Sequence, residues 1–413
     1  TTGSAVVVVQ NRSGQGWSPA RTLPLRGQTL PRLSDAWTRL ADIEGDGLAD
    51  LVRVSRGGLA VYQNLGHGQF ADARVLPLPE RLPAWVEPDR ISLVDITGTG
   101  AADVVVRMPG ALWVFPNGSG AVLSEKIVVP VGRLGANGAM EIVDLLGSSV
   151  RGVLLTDDGG VDAWTFYALW NNTRPDLLVE VDNGIGAVTT VRYSSSVHHA
   201  QRDRASGWLW RFSLPSPIQV VNRIGVLDTV TGVSLGQTFH YHEGYYDARE
   251  REFRGFGMVE QWDVEDTSGL LGRGLIQALP GSENSPPSRV VRFFDLGNGH
   301  RLRERYFPVS ETIPMDGIPG HPQARRALRG RVLREEVYGE DGSTQSQRPY
   351  TVTQHVYTVR QVSTPPQVPG PHATDDSYLP LRTQTFAFHF ERTTDVRCVV
   401  QSTIHDGFGL SLI

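Results

Sequence analysis

Four acidic side chains near residue 45 have the spacing of a calcium-binding loop. In the run LADIEGDGLADLVRV, positions 1, 3, 5 and 9 of an oxygen-rich loop are Asp42, Glu44, Asp46 and Asp50. Calcium takes about six to eight oxygen ligands, and at this spacing a backbone carbonyl supplies position 7. The pattern predicts one calcium ion as the only cofactor of the chain, with these four carboxylates as its ligands.

A capped turn is the alternative explanation of the same residues. The Glu44 side chain is longer than the Asp or Asn that is usual at the third position of such a loop. A second copy of the loop keeps two aspartates but has threonines between them: Asp95, Thr97, Thr99 and Asp103. Aspartates also accept hydrogen bonds from the backbone amides of tight turns. The second copy therefore favours a turn, and the first copy leaves both explanations open.

The patterns that resemble catalytic sites are weaker. GVSLG (Gly232–Gly236) matches the nucleophile elbow of α/β-hydrolases, but both of its flanks have strand patterns, whereas the elbow needs a helix after the turn. His240 and His242 lie on one face of a predicted strand, where structural hydrogen bonding is favoured because no third metal ligand is evident. His198 and His199 are expected to be solvated in a polar loop. The sequence predicts no catalytic residue and no enzyme.

The acidic loop belongs to a repeat with a period of 53 residues. Asp42 recurs as Asp95, Asp50 recurs as Asp103, and a weaker third copy contains Asp144. Three asparagines share one phase of the same period, Asn11, Asn64 and Asn117. Each unit has three or four short apolar strands separated by glycine-rich turns, which is typical of a β-propeller blade.

Longer alternating strands follow from about Arg174. The run DLLVEVDNGIGAVTTVRYSSS predicts a hairpin that turns at Asn183-Gly184. Phe386, Phe388 and Phe390 alternate with polar residues, as in a strand with one packed face. Cys398 lies in a similar alternating stretch and is expected to be a small core residue.

Composition narrows the possible functions. The chain has 413 residues, of which 40% are hydrophobic and 20% charged, and its 45 glycines and 26 prolines favour strands and tight turns. A formal net charge of −5 without a basic cluster argues against nucleic-acid binding. No apolar run approaches the roughly 20 residues that cross a bilayer, so no membrane insertion is expected. The chain starts at Thr1 without a signal peptide, and we expect it to be cut from a longer protein.

Three blocks resemble one protein family in the same order. YHEGYYDAREREFRGFGMVEQWD resembles the middle, N-terminal region of Tc insecticidal toxin B subunits and SpvB-type virulence proteins. RALRGRVLREEVYGEDGS and PYTVTQHVYTVRQV resemble the middle, C-terminal region. The acidic repeats resemble the FG-GAP-like propeller that precedes both regions in that family.

The resemblance implies a mostly β fold, in which a partial FG-GAP-like β-propeller precedes antiparallel β-sheet segments of a protein shell. The expected domains are residues 1–172 for the propeller blades, 173–272 for the middle N-terminal region and 273–413 for the middle C-terminal region.

The resemblance also implies a non-enzymatic role in a secreted toxin complex that is assembled in the bacterial cytoplasm. The expected partners are a pore-forming A subunit and a YD-repeat C subunit with its effector, which the shell encloses. A calcium-dependent adhesion propeller at the cell surface is the alternative that the repeats alone support.

Overall fold

The computed structural model divides the chain into two compact units, Thr1–Leu177 and Leu178–Ile413. The structure describes residues 5–9, 16–24, 29–132, 139–156, 164–170, 174–175, 177–230, 232, 234–248, 250, 252–265, 287–299, 322–363, 377–393, 396–406 and 411. Asn11 and much of the segment between 266 and 321 lie outside this part of the chain. The three-domain division at residues 172 and 272 stays a prediction.

The first unit contains small antiparallel sheets, each formed by strands that are consecutive in sequence. Its strands are β1 (Ala5–Val8), β2 (Arg21–Pro24), β3 (Thr38–Ala41), β4 (Asp50–Ser55), β5 (Gly58–Tyr62), β6 (Arg74–Pro77), β7 (Ile91–Val94), β8 (Asp103–Met108), β9 (Ala111–Phe115), β10 (Ile127–Pro130), β11 (Ala139–Val143), β12 (Gly152–Thr156) and β13 (Trp164–Tyr167). The described residues form the sheets β1–β2, β3–β6, β7–β10 and β11–β13. The two four-stranded sheets correspond to the two clear copies of the 53-residue repeat.

The core of the first unit lies between neighbouring sheets. Val52 of β4 packs in one cluster with Val104 and Val106 of β8, whereas Val105 packs with Val153 of β12 on the other side. Strand β8 is therefore buried on both faces, which explains why it is a continuous apolar run instead of an alternating one. A single repeat buries one face of its sheet only by stacking on the next repeat.

The second unit is built on one ten-stranded antiparallel sheet in which every strand pairs with its neighbours in sequence. Its strands are β14 (Glu180–Asp182), β15 (Ala187–Ser195), β16 (Gln219–Asp228), β17 (Ser234–Asp247), β18 (Glu252–Glu265), β19 (Ser288–Phe294), β20 (Val332–Gly339), β21 (Thr351–Ser363), β22 (Ser377–His389) and β23 (Arg397–Ser402). The predicted hairpin is present, with Asn183-Gly184 between β14 and β15.

Within the part of the second unit that the structure describes, two helices accompany this sheet, α1 (Ser196–Ala205) and α2 (Pro322–Arg326). Helix α1 begins directly after β15, where the Ser195 hydroxyl accepts a hydrogen bond from the Val197 amide and caps the helix. No helix of the described residues is long and apolar enough to cross a membrane.

The predicted fold class is confirmed: the chain is mostly β, with antiparallel sheets and an FG-GAP-like repeat region. Two local predictions are wrong. Cys398 is exposed, because β23 is an edge strand whose side chains reach solvent. His199 is 2% exposed inside α1, because the segment expected to be a polar loop folds as a helix against β17.

Candidate functional site

The acidic turns of the repeats are held by aspartates that accept backbone amides. The Asp42 carboxylate accepts the N–H groups of Gly45 at 2.7 Å and Gly47 at 2.7 Å. Asp95 does the same in the second repeat, with Gly98 at 2.6 Å and Gly100 at 3.0 Å. These four glycines have positive φ angles of 80° to 95°, which L side chains rarely adopt. The Gly/Asp spacing therefore encodes the turn itself.

A second aspartate in each repeat joins two turns at one end of the sheet. Asp50, which is fully buried, accepts the Ile43 amide at 2.9 Å and the Asn64 amide at 2.8 Å. Its repeat equivalent Asp103 is equally buried and accepts the corresponding amides of Ile96 at 3.0 Å and Asn117 at 2.8 Å. Each aspartate thus fixes the acidic turn and the asparagine turn together.

The first acidic turn also binds the second repeat. The Asn117 side-chain amide donates to the carbonyls of Ile43 at 2.8 Å and Ala102 at 2.9 Å. The Ala102 amide donates to the Asp42 carbonyl at 2.7 Å. The bonds from Asn117 to Ile43 and from Ala102 to Asp42 satisfy backbone carbonyls of the first repeat with donors of the second, which fixes the spacing of the two sheets.

The second acidic turn is held in a similar way by residues from the end of the unit. The Trp170 indole donates to the Ile96 carbonyl at 3.0 Å, where Ile96 is the repeat equivalent of Ile43. The Arg174 guanidinium donates to the Gly98 carbonyl at 2.6 and 3.0 Å. Asn117 at the first turn and Trp170 at the second therefore donate to equivalent backbone carbonyls, those of Ile43 and Ile96.

Glu44 distinguishes the first turn from the second. Its carboxylate pairs with Arg74 at 2.6 Å, and Arg74 also donates to the Gly120 carbonyl. At the equivalent position, the Thr97 hydroxyl donates to Asp103 at 2.9 Å, a bond that an ionised Glu44 is unable to give to Asp50. Burial is the largest of the causes that raise the pKa of Asp50 to about 6, and the neighbouring Glu44 carboxyl raises it further.

The four predicted calcium ligands lie in one turn, but their side chains have separate partners. Asp42 and Asp50 accept backbone amides, Glu44 pairs with Arg74, and Asp46 accepts the Leu48 amide at 2.8 Å. Within the described residues, no three acidic, histidine or cysteine side chains are grouped to hold a metal. This donor arrangement does not fit a calcium ion and has the contacts of the capped-turn alternative. Calcium binding stays a prediction.

The hydrolase-like pattern of the second unit does not form an elbow. Ser234 begins β17 and pairs with Leu227 of β16, so a strand follows this turn instead of a helix.

His199 Nε2 lies 2.7 Å from the Ser194 hydroxyl, while its Nδ1 accepts the Tyr241 amide at 3.4 Å. Nε2 therefore carries the proton and does not act as a base toward Ser194.

Three residues that hold the acidic turns were not predicted from the sequence. Arg74, Trp170 and Arg174 lie outside the repeated pattern, and each acts on a turn at least 30 residues away. Asn117 was recognisable in the sequence, because it occupies the same position in its repeat as Asn64 does in the preceding one. The sequence did not indicate which carbonyls its side chain binds.

Comparison with protein families identifies three regions of the chain. Residues 42–106 match a model of the FG-GAP-like repeat, residues 127–270 match the insecticide toxin TcdB middle/N-terminal region, and residues 323–412 match the TcdB middle/C-terminal region. Among curated protein sequences, none matches the chain.

Solved structures of toxin complexes resemble the whole chain. In the Photorhabdus luminescens Tc holotoxin pore, the matching chain is 26% identical with a TM-score of 0.79 over 100% of this chain. In TcdB2-TccC3 it is 27% identical with a TM-score of 0.76 over 98% of this chain. In each case this chain spans about 20% of the length of the matching chain.

The family regions and the structural likeness define the class: the chain is a Tc toxin B-subunit-like protein. It corresponds to a segment of such a subunit.

Proposed function

We propose that this chain is a non-enzymatic structural and gating segment of a B subunit in a secreted toxin complex. In this role the B subunit, together with a YD-repeat C subunit, encloses a toxic effector and docks onto a pore-forming A subunit. The observation that carries the proposal is the likeness of the whole chain to Tc holotoxin and TcdB2-TccC3 chains, with the family regions in the same order.

The first unit supports the docking part of the proposal. Its repeats stack through paired carbonyl contacts, as blades of a propeller do, and this stacking leaves the asparagine turns at one end of the sheets. Leu65 and Val122 are large apolar residues that are exposed in these turns. A contiguous exposed apolar patch favours protein–protein contact, and in this proposal the two residues are part of one.

The second unit supports the enclosing part. Strands of up to 14 residues run in sequence order across ten strands, which is the connectivity of a continuous wall. Val181, Thr189, Val226 and Leu235 are cross-strand partners in one row, so they share a face of the sheet. The three apolar members of this row are exposed, as expected for a face that meets further polypeptide.

Binding of the chain to purified A and C subunits tests the proposal. We expect the double substitution Leu65→Asp and Val122→Asp to abolish binding to the A subunit and to leave C-subunit binding unchanged. The matched control is Val226→Asp with Leu235→Asp in the second unit, which we expect to impair only C-subunit binding. Binding is measured by size-exclusion chromatography of mixed components, after circular dichroism shows that each variant is folded.

Two outcomes would overturn the proposal. The first is that neither double variant changes binding to either subunit. The second is that the chain ignores both subunits but binds host cells in an EDTA-sensitive manner, which would favour the adhesion alternative.

A further inference from the structure

A buried histidine–carboxylate network connects α1 to the ten-stranded sheet. His242 of β17 is 6% exposed, and Asp203 of α1 is 4% exposed. His242 Nδ1 lies 2.7 Å from Asp203 Oδ2, and His242 Nε2 lies 3.3 Å from Glu260 Oε2 of β18. Neither the calcium prediction nor the proposed function involves this network.

The geometry determines the protonation state of His242. A neutral imidazole has one donor and one acceptor nitrogen, whereas an ionised carboxylate only accepts. Because both ring nitrogens face carboxylate oxygens, both hydrogen bonds form only when the ring is an imidazolium. Hydrogen bonds between ionised groups are about twice as strong as neutral ones.

The same network extends to a segment that follows α1. Asp203 Oδ2 also accepts the Trp210 indole N–H at 2.6 Å. Trp210 lines an open cavity of about 320 Å³ between α1 and residues 209–217. The position of this cavity wall therefore depends on a carboxylate that His242 orients.

Other charged groups on the packed elements limit the response. On the sheet side, Arg289 of β19 pairs with Glu260 at 3.1 Å and with Glu340 at 2.5 Å. On the α1 side, Arg202 lies 3.7 Å from Asp203, and His198 and His199 precede it. Burial lowers the pKa of His199 to about 3 and that of His240 to about 4, so both rings are neutral near pH 7.

The sign of the pH response follows from the two carboxylates. Burial alone lowers the pKa of His242, but hydrogen bonds to Asp203 and Glu260 outweigh burial and raise it above the usual 6.5. A raised folded-state pKa gives stability that is complete below about pH 6.5 and is lost as the pH rises through the folded-state value. The network therefore weakens in alkaline solution.

We propose that the protonated His242 is a pH-sensitive lock, which holds α1 and residues 209–217 on the sheet through two hydrogen bonds and loosens them when the ring loses its proton. A neutral ring has one N–H for two carboxylates, so one of the two hydrogen bonds is lost and the hold of α1 on β17 and β18 weakens. The lock is independent of the proposed function, and its failure would leave that function untouched.

Two measurements on the full chain test the lock. Long-range ¹H–¹⁵N spectra of ¹⁵N-histidine-labelled protein, assigned with His242→Gln, are expected to show both His242 nitrogens protonated at pH 7. Hydrogen exchange of residues 196–205, corrected for the intrinsic rate, is expected to accelerate by about tenfold or more between about pH 6 and pH 10.

Matched variants separate the lock from general stability. Glu260→Gln keeps the size of the side chain and removes one charge, so the pH at which exchange accelerates is expected to fall. His355→Gln is the control, because the His355 ring lies 3.1 Å from the Thr385 hydroxyl of β22, and its loss is expected to change nothing in α1. A neutral His242 ring at pH 7, or exchange in α1 that does not depend on pH, would overturn the lock.

Discussion

The two units bury their carboxylates in different ways. In the repeats, Asp42, Asp50 and Asp103 accept backbone amides, most of them within seven residues along the chain. In the ten-stranded unit, Glu260 and Asp203 accept hydrogen bonds from cationic side chains and from an indole. Each donor lies 7 to 39 residues away from its carboxylate along the chain. Both solutions satisfy buried charge, but only the first leaves a short pattern in the sequence.

The chemical type of the donors also determines how the stability of each unit depends on pH. In the repeats the amide donors do not titrate, and the pKa of Asp50 is raised to about 6, first by burial and then by the neighbouring Glu44 carboxyl. In the second unit, Asp203 and Glu260 both face His242, and the His242 ring is itself titratable. We therefore expect both units to lose stability as the pH rises, the first between about pH 4 and 6 through Asp50 and the second above about pH 6.5 through His242.

Removing the central aspartate of a repeat is expected to have the largest effect. Asp103→Ala leaves the buried amides of Ile96, Thr97 and Asn117 without an acceptor. Unsatisfied buried donors make this cost about 3 kcal/mol or more of unfolding free energy. Urea unfolding measures the loss, and the exposed Asp46→Ala is the control, expected to change the free energy by about 0.5 kcal/mol or less. Equal losses in both variants would contradict the central role of Asp103.

Glu44→Thr is expected to remove the part of the pH dependence of the first repeat that Glu44 adds to the effect of burial. The pKa of Asp50 is raised to about 6, so this residue makes the wild-type unit more stable as the pH falls from about 6 toward 4. The contribution is at most about 3 kcal/mol, from the difference between the two pKa values. The introduced hydroxyl would donate to Asp50 as Thr97 donates to Asp103, and urea unfolding at several pH values measures the change. An unchanged pH profile would show that Glu44 does not act on Asp50.

Asn117→Ala is expected to weaken the contact between the first two repeats. The substitution removes donors to Ile43 and Ala102, and we expect a loss of about 2 kcal/mol. Asn64→Ala is the matched control, because its side chain donates to Ala49 in its own repeat and the loss is expected to be about 1 kcal/mol. The two variants are compared by thermal unfolding, and a larger loss for Asn64 would contradict the inter-repeat role.

Calcium is expected to have little effect on either unit. Calorimetric titration of chelator-treated protein with Ca²⁺ is expected to show one weak site at most, because the acidic side chains of the first turn already have separate partners. Asp46→Asn, which keeps the turn, is expected to remove any such site. Two or more tight sites would show that the turns rearrange to bind calcium.

Substitution of the exposed thiol is expected to have the smallest effect. Cys398→Ser lies on the edge strand β23 and is expected to change stability by about 0.5 kcal/mol or less. The native thiol is expected to react with a soluble thiol reagent at the rate of a free cysteine. A loss above about 2 kcal/mol would restore the prediction that Cys398 belongs to the core.

The sequence predictions were accurate for features encoded by neighbouring residues and failed for contacts between residues distant in the chain. The repeat, its turns and the hairpin at Asn183-Gly184 were predicted because each is encoded by residues close together in the chain. Helix α1 was not predicted, because SVHHAQRDRA has no apolar stripe and is held by buried polar residues, including His199 and Asp203. The partners of Glu44 and Asn117 were also beyond prediction, because they lie 30 and 74 residues away along the chain.

The sequence by itself determined the β class, the period of the repeats and the resemblance to Tc toxin B subunits, because glycine conformations and alternating side chains act locally. Only the tertiary structure decided which acceptor each buried polar group uses. His242 lies between two carboxylates because folding brings α1 and β18, which are 39 and 18 residues away from it along the chain, to the two sides of its ring.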